Sequence, residues 1–372
     1  MKFNTDGKLF QQQLQAVNKV INSKNAVSIL DNFLFELDGE ILTITGSDQE
    51  NIVSAKMTVL ESDGEGSVAV PAKTLLEITK EVSNQPIEFK LDNITGEIEV
   101  SFLNGDFKFM GINSEEFPKG ENFPEEFKFE AKGEVLLKGI EKTIYAVSTE
   151  TIRPVMTGIF WDIHQNDITF VASDTHKLVR YVNEEFKPGF ERSFIMPFKP
   201  ASILKGILGK DDNVEVLLGE KGAKFIFGDF SMTCRFIKGN YPNYNRVIPE
   251  SNPYIVSIDR QSFLMAMRRV AIFASKASNL VKMEIKDGSL LLAAQDLDYG
   301  TSAKEKVMCD YSGNDLTIGF NSNFTIEILN NINSEIILMK LSDPARPGVF
   351  EPLEQEPMSS LVTIEMPMQV IE

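Results

Sequence analysis

Two cysteines and two histidines in 372 residues leave little material for thiol or metal chemistry. Cys234 and Cys309 lie in strand-like runs with no paired spacing. They read as core or half-buried thiols of a protein in a reducing cytoplasm, not as a disulfide framework or a zinc ligand set. His164 and His176 stand apart from any cluster of cysteines and carboxylates, so no metal site is expected. A nucleophile elbow, a Walker loop and a dinucleotide fingerprint are all missing, and no cofactor is expected either. No apolar run approaches the roughly 20 residues that span a membrane. Met1-Lys2-Phe3-Asn4-Thr5-Asp6 leads straight into a polar helical pattern rather than a signal peptide. Positive charge is also short. Lysine and arginine number 37 against 54 acids, a net charge of −17. That excludes a simple basic nucleic-acid binder.

What is present is a pattern stated three times. Gly46-Ser47-Asp48 returns as Ala172-Ser173-Asp174 and, more loosely, as Ala294-Gln295-Asp296. Each triplet closes an apolar strand-like run, at 41–44, 168–171 and 290–293. Val68-Ala69-Val70-Pro71 returns as Phe194-Ile195-Met196-Pro197, and Leu316-Thr317-Ile318-Gly319-Phe320 follows at a similar spacing. Solenoid repeats run 20 to 50 residues. A period of about 120 residues is domain length, long enough for each copy to bury a core.

Each copy follows one script. A helix comes first: residues 8–22 with Phe10, Leu14, Val17 and Ile21 on one face, then Leu136, Ile140, Ile144 and Val147, then Phe263, Met267 and Val270. Alternating strands follow. A second helix starts after Pro71, Pro197 or Phe320, over 72–82, 199–208 and 322–332. More strands close the unit, at 87–91, 97–103 and 107–112 in the first copy and 214–218, 224–227 and 231–237 in the second. Segments 113–127 and 239–254, rich in proline, asparagine and glutamate, read as connectors. Many strands with helices at matching places give an α+β class with antiparallel sheets.

The charge is unevenly spread. The first helix has Lys8 and Lys19, with Lys24 just beyond, and no acid between. Lys199, Lys205 and Lys210 mark the second helix of the middle copy, and Arg260, Arg268, Arg269 and Lys276 the first helix of the last. The helices are net positive while strands and loops carry the acids. This suits one basic face turned to a polyanion on a body that otherwise repels it.

Asp48, Asp174 and Asp296 could be imagined as catalytic carboxylates. One active site needs one set, whereas a strand-end turn needs an aspartate each time, so they read as turn residues. His176, in the loop Ser173-Asp174-Thr175-His176-Lys177-Leu178, reads as a structural histidine. Pro242 through Pro249 reads as a proline-stiffened connector. Met366-Pro367-Met368 places two flexible thioethers at the chain end, where methionine suits an adaptable binding surface. Taken alone, these residues leave open an enzyme with triplicated domains and a scaffold that does not touch DNA.

Together, the three tandem units, the 173–178 loop, Tyr241-Pro242-Asn243-Tyr244-Asn245-Arg246-Val247, Gly319-Phe320-Asn321 and Met366-Pro367-Met368 resemble the bacterial DNA polymerase III beta subunit family, the replicative sliding clamps. The similarity covers the whole chain. It implies a DNA clamp fold with domains at 1–126, 127–254 and 255–372, each with two helices packed on antiparallel sheets. It further implies a head-to-tail homodimer, a ring of six domains with helices lining the hole. Twelve helices at about 9 Å between axes make a circle about 34 Å across. Removing about 5 Å of helix radius at each side leaves a hole of roughly 24 Å, enough for a duplex. A ring holds DNA by topology, so an acidic protein with a weakly basic lining suffices.

The resemblance implies a non-catalytic processivity subunit that encircles double-stranded DNA without reading its sequence. Its implied partners are the DNA polymerase III alpha subunit, the clamp loader, and other replication and repair proteins carrying clamp-binding peptides. It implies a partner-peptide pocket built from Met156, Ser173, Thr175, His176, Lys177, Leu178, Pro242, Arg246, Val247, Asn321, Phe324, Ile364, Met366, Pro367, Met368, Gln369 and Val370. It also implies a dimer contact between Lys73 and Phe107 of one chain and Ile272 and Phe273 of the other. Charge and position nominate Lys24, Lys138, Arg153, Lys199 and Lys205 for DNA. The chain departs from the family pattern at Thr175 (commonly glycine), Lys177 (arginine), Phe324 (tyrosine) and Gln369-Val370 (Arg-Leu), and Ile371 and Glu372 are additional. These departures imply a changed peptide preference.

Overall fold

Among the described residues, six α-helices recur in pairs along the chain. They are α1 (Gly7–Asn18), α2 (Ala72–Val82), α3 (Gly133–Thr143), α4 (Phe198–Ile207), α5 (Arg260–Ala271) and α6 (Ser322–Asn331). The computed structural model describes residues 1–118 and 125–370. The centre of the first connector and the additional Ile371 and Glu372 lie outside the described residues.

Aspartate starts α1 and α5 in the same way. Asp6 accepts the Leu9 N–H at 2.8 Å and Asp259 accepts the Ser262 N–H at 2.7 Å, satisfying donors that a helix start leaves open. The spaced apolar residues are the buried ones: Phe10, Leu14 and Val17 on α1, and Phe263, Met267 and Val270 on α5. Two helices stop earlier than their periodicity suggests. α1 ends at Asn18, after which single turns carry Val20 inward against Gly46. A side-chain carbon on Gly46 would lie 2.9 Å from Val17. α3 ends at Thr143, whose hydroxyl donates to the Gly139 carbonyl at 2.6 Å, and Ile144 begins a separate 3-10 turn.

All strand pairs are antiparallel among the described residues, as expected, and they form four sheets in two compact units. The first unit comprises residues 1–137 and 199–236. It holds a five-stranded sheet in the order Glu61–Asp63, Lys2–Asp6, Pro86–Leu91, Glu97–Phe102, Gly105–Met110. Its eight-stranded sheet runs Phe127–Lys132, Asn213–Leu218, Gly222–Phe227, Phe230–Arg235, Asn51–Thr58, Ile41–Ser47, Asn32–Asp38, Gly66–Pro71. Phe3 stacks on Phe89 at 4.9 Å, with Phe10 and Phe35 beside them.

The second unit comprises residues 138–198 and 237–372. Its eight-stranded sheet runs Arg192–Pro197, Gly158–Ile163, Ile168–Ser173, Lys177–Asn183, Ser359–Glu365, Gly348–Pro352, Ile336–Leu341, Tyr254–Asp259. A four-stranded sheet runs Thr301–Met308, Ser289–Asp296, Leu280–Lys286, Leu316–Asn321. Trp161 packs edge-on to Phe170 at 4.6 Å and beside Phe194 at 5.3 Å.

Both eight-stranded sheets are assembled from two sequence repeats. In one, Phe230–Arg235 of the middle repeat pairs with Asn51–Thr58 of the first, Cys234 facing Asn51. In the other, Lys177–Asn183 of the middle repeat pairs with Ser359–Glu365 of the last, Lys177 facing Glu365. Each seam joins the strand after an aspartate loop to the final strand of the next repeat. Two strands of this series have no seam partner within the chain and stand at sheet edges: Gly105–Met110, the final strand of the first repeat, and Thr301–Met308, which follows the third aspartate loop. The division into compact units therefore runs through the segment expected as the middle domain.

Candidate functional site

The three aspartates do the turn work expected of them. Asp48 accepts the N–H groups of Glu50 and Asn51, Asp174 those of His176 and Lys177, and Asp296 those of Asp298 and Tyr299. In the first two loops the following residue takes a left-handed backbone, Gln49 at φ 79° and Thr175 at φ 80°. A branched side chain is disfavoured there, which is why glycine would suit position 175.

Around Asp174 the middle loop builds a polar cluster. Lys177 is nearly buried, at 5% exposure. Its ammonium donates to Asp174 at 2.5 Å, pairs with Glu327 at 3.0 Å, and lies 4.3 Å from the centre of the Phe324 ring. His176 stacks on the same ring at 5.7 Å. Ser173 donates to the Lys177 carbonyl and accepts the Thr175 N–H, closing the loop. Asn321 caps α6, presenting Phe324 one turn on. Behind Lys177 sits Glu365, wholly buried, accepting from the Thr325 hydroxyl at 2.9 Å. Burial pushes its carboxyl well above the ordinary 4.5, against the opposing pulls of Thr325 and Lys177. The Asn321 backbone N–H also pulls it downward, but desolvation outweighs these contacts and favours the neutral acid.

Beside this cluster lies an apolar floor of Val171, Leu178, Val349, Val362 and Ile364. Tyr244, Tyr241 and Ile248 of the second connector pack on it, Tyr241 stacking on Phe160 at 4.8 Å. The Tyr244 hydroxyl donates to Asp162 at 2.9 Å, tying the connector down. Pro242, Arg246 and Val247 are exposed on that anchored segment. Met156 is buried at the end of a 3-10 turn before strand Gly158–Ile163. The tail leaves its strand through Met366, whose N–H donates to the His176 carbonyl at 2.7 Å. Met368 then donates to the Gly319 carbonyl at 2.8 Å, where any larger residue at 319 would strike Met368, Val370 and Leu280. Pro367, Met368, Gln369 and Val370 line a groove on the far side of that bridge.

The structure thus gathers Ser173, Thr175, His176, Lys177, Leu178, Phe324, Ile364 and Met366 around one loop. It adds Asp174, Glu327, Glu365, Tyr241 and Tyr244, which the sequence reading did not select. The two tyrosines had a signal, as the aromatic residues of a polar connector. Glu365 had none, since an acid at a strand end normally faces water.

The residues nominated for DNA divide. Lys24, Arg153 and Lys205 are exposed. Lys138 pairs with Glu356 at 3.2 Å. Lys199 donates its ammonium to the Val20 carbonyl, to Asn22 and to Asp48. Of the nominated dimer residues, Ile272 is 68% exposed, Phe107 and Phe273 lie near 40%, and Lys73 is exposed.

Three similar α+β repeats fused through shared sheets, with a peptide-sized apolar surface beside the last seam, define a clamp-type fold. The family models for the N-terminal, central and C-terminal domains of the DNA polymerase III beta subunit match residues 1–121, 130–243 and 245–369. The chain belongs to that family, the beta sliding clamps. It is 25% identical to the beta sliding clamp of Pseudomonas aeruginosa over the full length of both. The crystal structure of the DNA polymerase sliding clamp from the same organism superposes with a TM-score of 0.94 at 24% identity, covering all of each chain. A sliding clamp of Bartonella birtlesii, solved bound to griselimycin, matches with a TM-score of 0.93 at 25% identity over all of each chain.

Two outcomes are expected. Thr175→Gly removes the left-handed strain and should raise stability by about 1 kcal/mol in urea denaturation. Glu365 holds its proton more tightly folded than unfolded, so its contribution is full below pH 4.5 and is lost as pH rises toward the folded value. Glu365→Gln, which keeps an acceptor for Thr325 and cannot ionise, should raise stability at neutral and alkaline pH. Melting curves across pH would refute this if variant and parent changed in parallel.

Proposed function

We propose that this chain is a processivity clamp: a head-to-tail homodimer that closes into a six-domain ring around double-stranded DNA and has no catalytic activity. The observation that carries the reading is the pair of strands that the seam pattern leaves unmatched. Inside the chain, every strand that follows an aspartate loop meets the final strand of the next repeat, except in the third. Thr301–Met308 and Gly105–Met110 are the two ends of that series, and a second copy supplies each with its missing partner. Covering an edge removes a row of open backbone groups, a strong reason to associate. The first seam's register, carried over by matching the hairpins, sets Asp106 of one chain opposite Lys304 of the other. Phe107 then falls in the contact, and we assign Ile272, Phe273 and Lys73 to its flanks.

Lys24, Arg153 and Lys205 are the side chains we assign to the DNA-facing surface, with Lys138 once its pair with Glu356 yields. The domain limits 1–126, 127–254 and 255–372 belong to this reading, as does a cytoplasmic location, which suits the free thiols of Cys234 and Cys309. The surface around Lys177, Phe324 and the Met366–Met368 tail is assigned to short peptides of the polymerase alpha subunit, the clamp loader and other replication and repair proteins. The griselimycin-bound relative supports a ligand site in the family.

In sedimentation, Asp106→Lys should weaken the dimer several-fold and Lys304→Asp added to it should restore it, as opposed charges across a sheet favour pairing. A parent that is monomeric at micromolar concentration would sink the ring. The dimer should stay on circular DNA after ATP-dependent loading and leave once the circle is cut. Retention on linear DNA with open ends would exclude topological binding. Met366→Ala with Met368→Ala should weaken a synthetic clamp-binding peptide in fluorescence anisotropy and leave the dimer intact. Unchanged affinity would move the pocket elsewhere.

A further inference from the structure

At the end of each repeat, one residue just past the last strand hydrogen-bonds to the same edge strand. Ile112 exchanges two backbone bonds with Ala69, at 2.8 and 3.0 Å, Ile237 donates to the Ile195 carbonyl at 3.0 Å, and Met368 donates to the Gly319 carbonyl at 2.8 Å. These edge positions are equivalent, because Ala69, Ile195 and Gly319 stand opposite Leu34, Phe160 and Lys282 on the neighbouring strand. In the first two repeats the chain then runs on as the connector and lays an aromatic ring on the neighbouring strand. Phe117 packs against Ala69 and Leu34. Tyr241 stacks on Phe160, and Tyr244 donates its hydroxyl to Asp162. In the third repeat the described tail reaches Val370, two residues past the bridge, whereas Phe117 and Tyr244 arrive five and seven residues past theirs. The corresponding surface is an open groove of about 960 Å³ between Lys282, Glu284, Thr317, Ala345, Pro367 and Val370.

We infer that this groove is a second docking surface, which takes an extended, tyrosine-bearing segment of a partner protein in the place that the connector occupies in the other repeats. Glu284 faces Thr317 as Asp162 faces Ser193, so it offers the acceptor that Tyr244 uses one repeat earlier. Lys282 replaces Phe160 and presents an ammonium to the face of an incoming ring. Lys282 and Glu284 now pair with each other at 2.6 Å, both partly exposed. Such a pair contributes little by itself and can be opened cheaply. Pro367 and Met368 belong both to this groove and to the proposed peptide pocket, so a partner held in the pocket delivers its flanking residues here at high local concentration. The inference extends the pocket reading, although its template is the internal repeat.

The probe is a labelled synthetic peptide of the chain's own residues 237–248, added to the full-length protein. Saturable binding is expected, weakened about tenfold by Glu284→Ala, the size of one hydrogen bond to a charged acceptor. Replacing the probe's second tyrosine with phenylalanine should cost a similar factor, and the two losses should not add. Lys282→Ala should also weaken the probe. A photoreactive group at that tyrosine should cross-link to residues 280–286 or 343–345. Phe324→Ala should leave the probe unaffected while weakening a clamp-binding peptide, which keeps failure of the groove distinct from failure of the pocket. No saturation at millimolar probe, indifference to both groove substitutions, or cross-links elsewhere would overturn the inference.

Discussion

An uncovered strand edge is the constraint on which the rest of the molecule depends. A strand carries hydrogen-bonding groups on both sides, and the outermost strand of a sheet satisfies only one side within its own fold. Here each repeat ends on such a strand, and the second and third resolve it against the hairpin of the repeat before. Two eight-stranded sheets result, each spanning two repeats. The length of the chain and the number of repeats then matter in a simple way. A linear series of edge-sharing units always ends with one donor edge and one acceptor edge, here Thr301–Met308 and Gly105–Met110.

The aspartate loops set the register of that sharing. By accepting two backbone N–H groups, each aspartate fixes where its following strand begins, and so which residues face the next repeat. The candidate site is built on one of them. Asp48 and Asp174 both hold a lysine, but Lys199 also bonds Val20 and Asn22, whereas Lys177 is pressed between two carboxylates and an aromatic ring beside the tail. The same turn has become a brace in one repeat and a rigid rim for the candidate site in another.

Much of the architecture was legible from local patterns. α2 falls on the expected 72–82 because a proline start and a 3.6-residue period agree there. α1 and α3 ran too long on paper, since an apolar residue after a helix looks the same whether it continues the helix or turns inward beside a glycine. Sheet sharing was not legible at all, because neither side of a strand announces its partner in sequence. The loop at 173–178 and the tail stood out as residues and gained a role from the resemblance, while Glu365 and the partners of Lys199 depend on burial and on residues distant in the chain. No periodicity encodes either.

The shared sheets also separate two notions of a unit. The stretch of sequence that repeats is not the stretch that buries its core and pairs its strands together, for the two compact bodies at 1–137 with 199–236 and at 138–198 with 237–372 cut the middle repeat in half. Unfolding should follow bodies rather than repeats. Removal of any one repeat would strip a neighbour of half a sheet, so a chain shortened at a repeat boundary is a damaged fold rather than a smaller clamp. A lineage that copied this unit to three would have found the copies progressively harder to discard, each new one having become the wall of the one before.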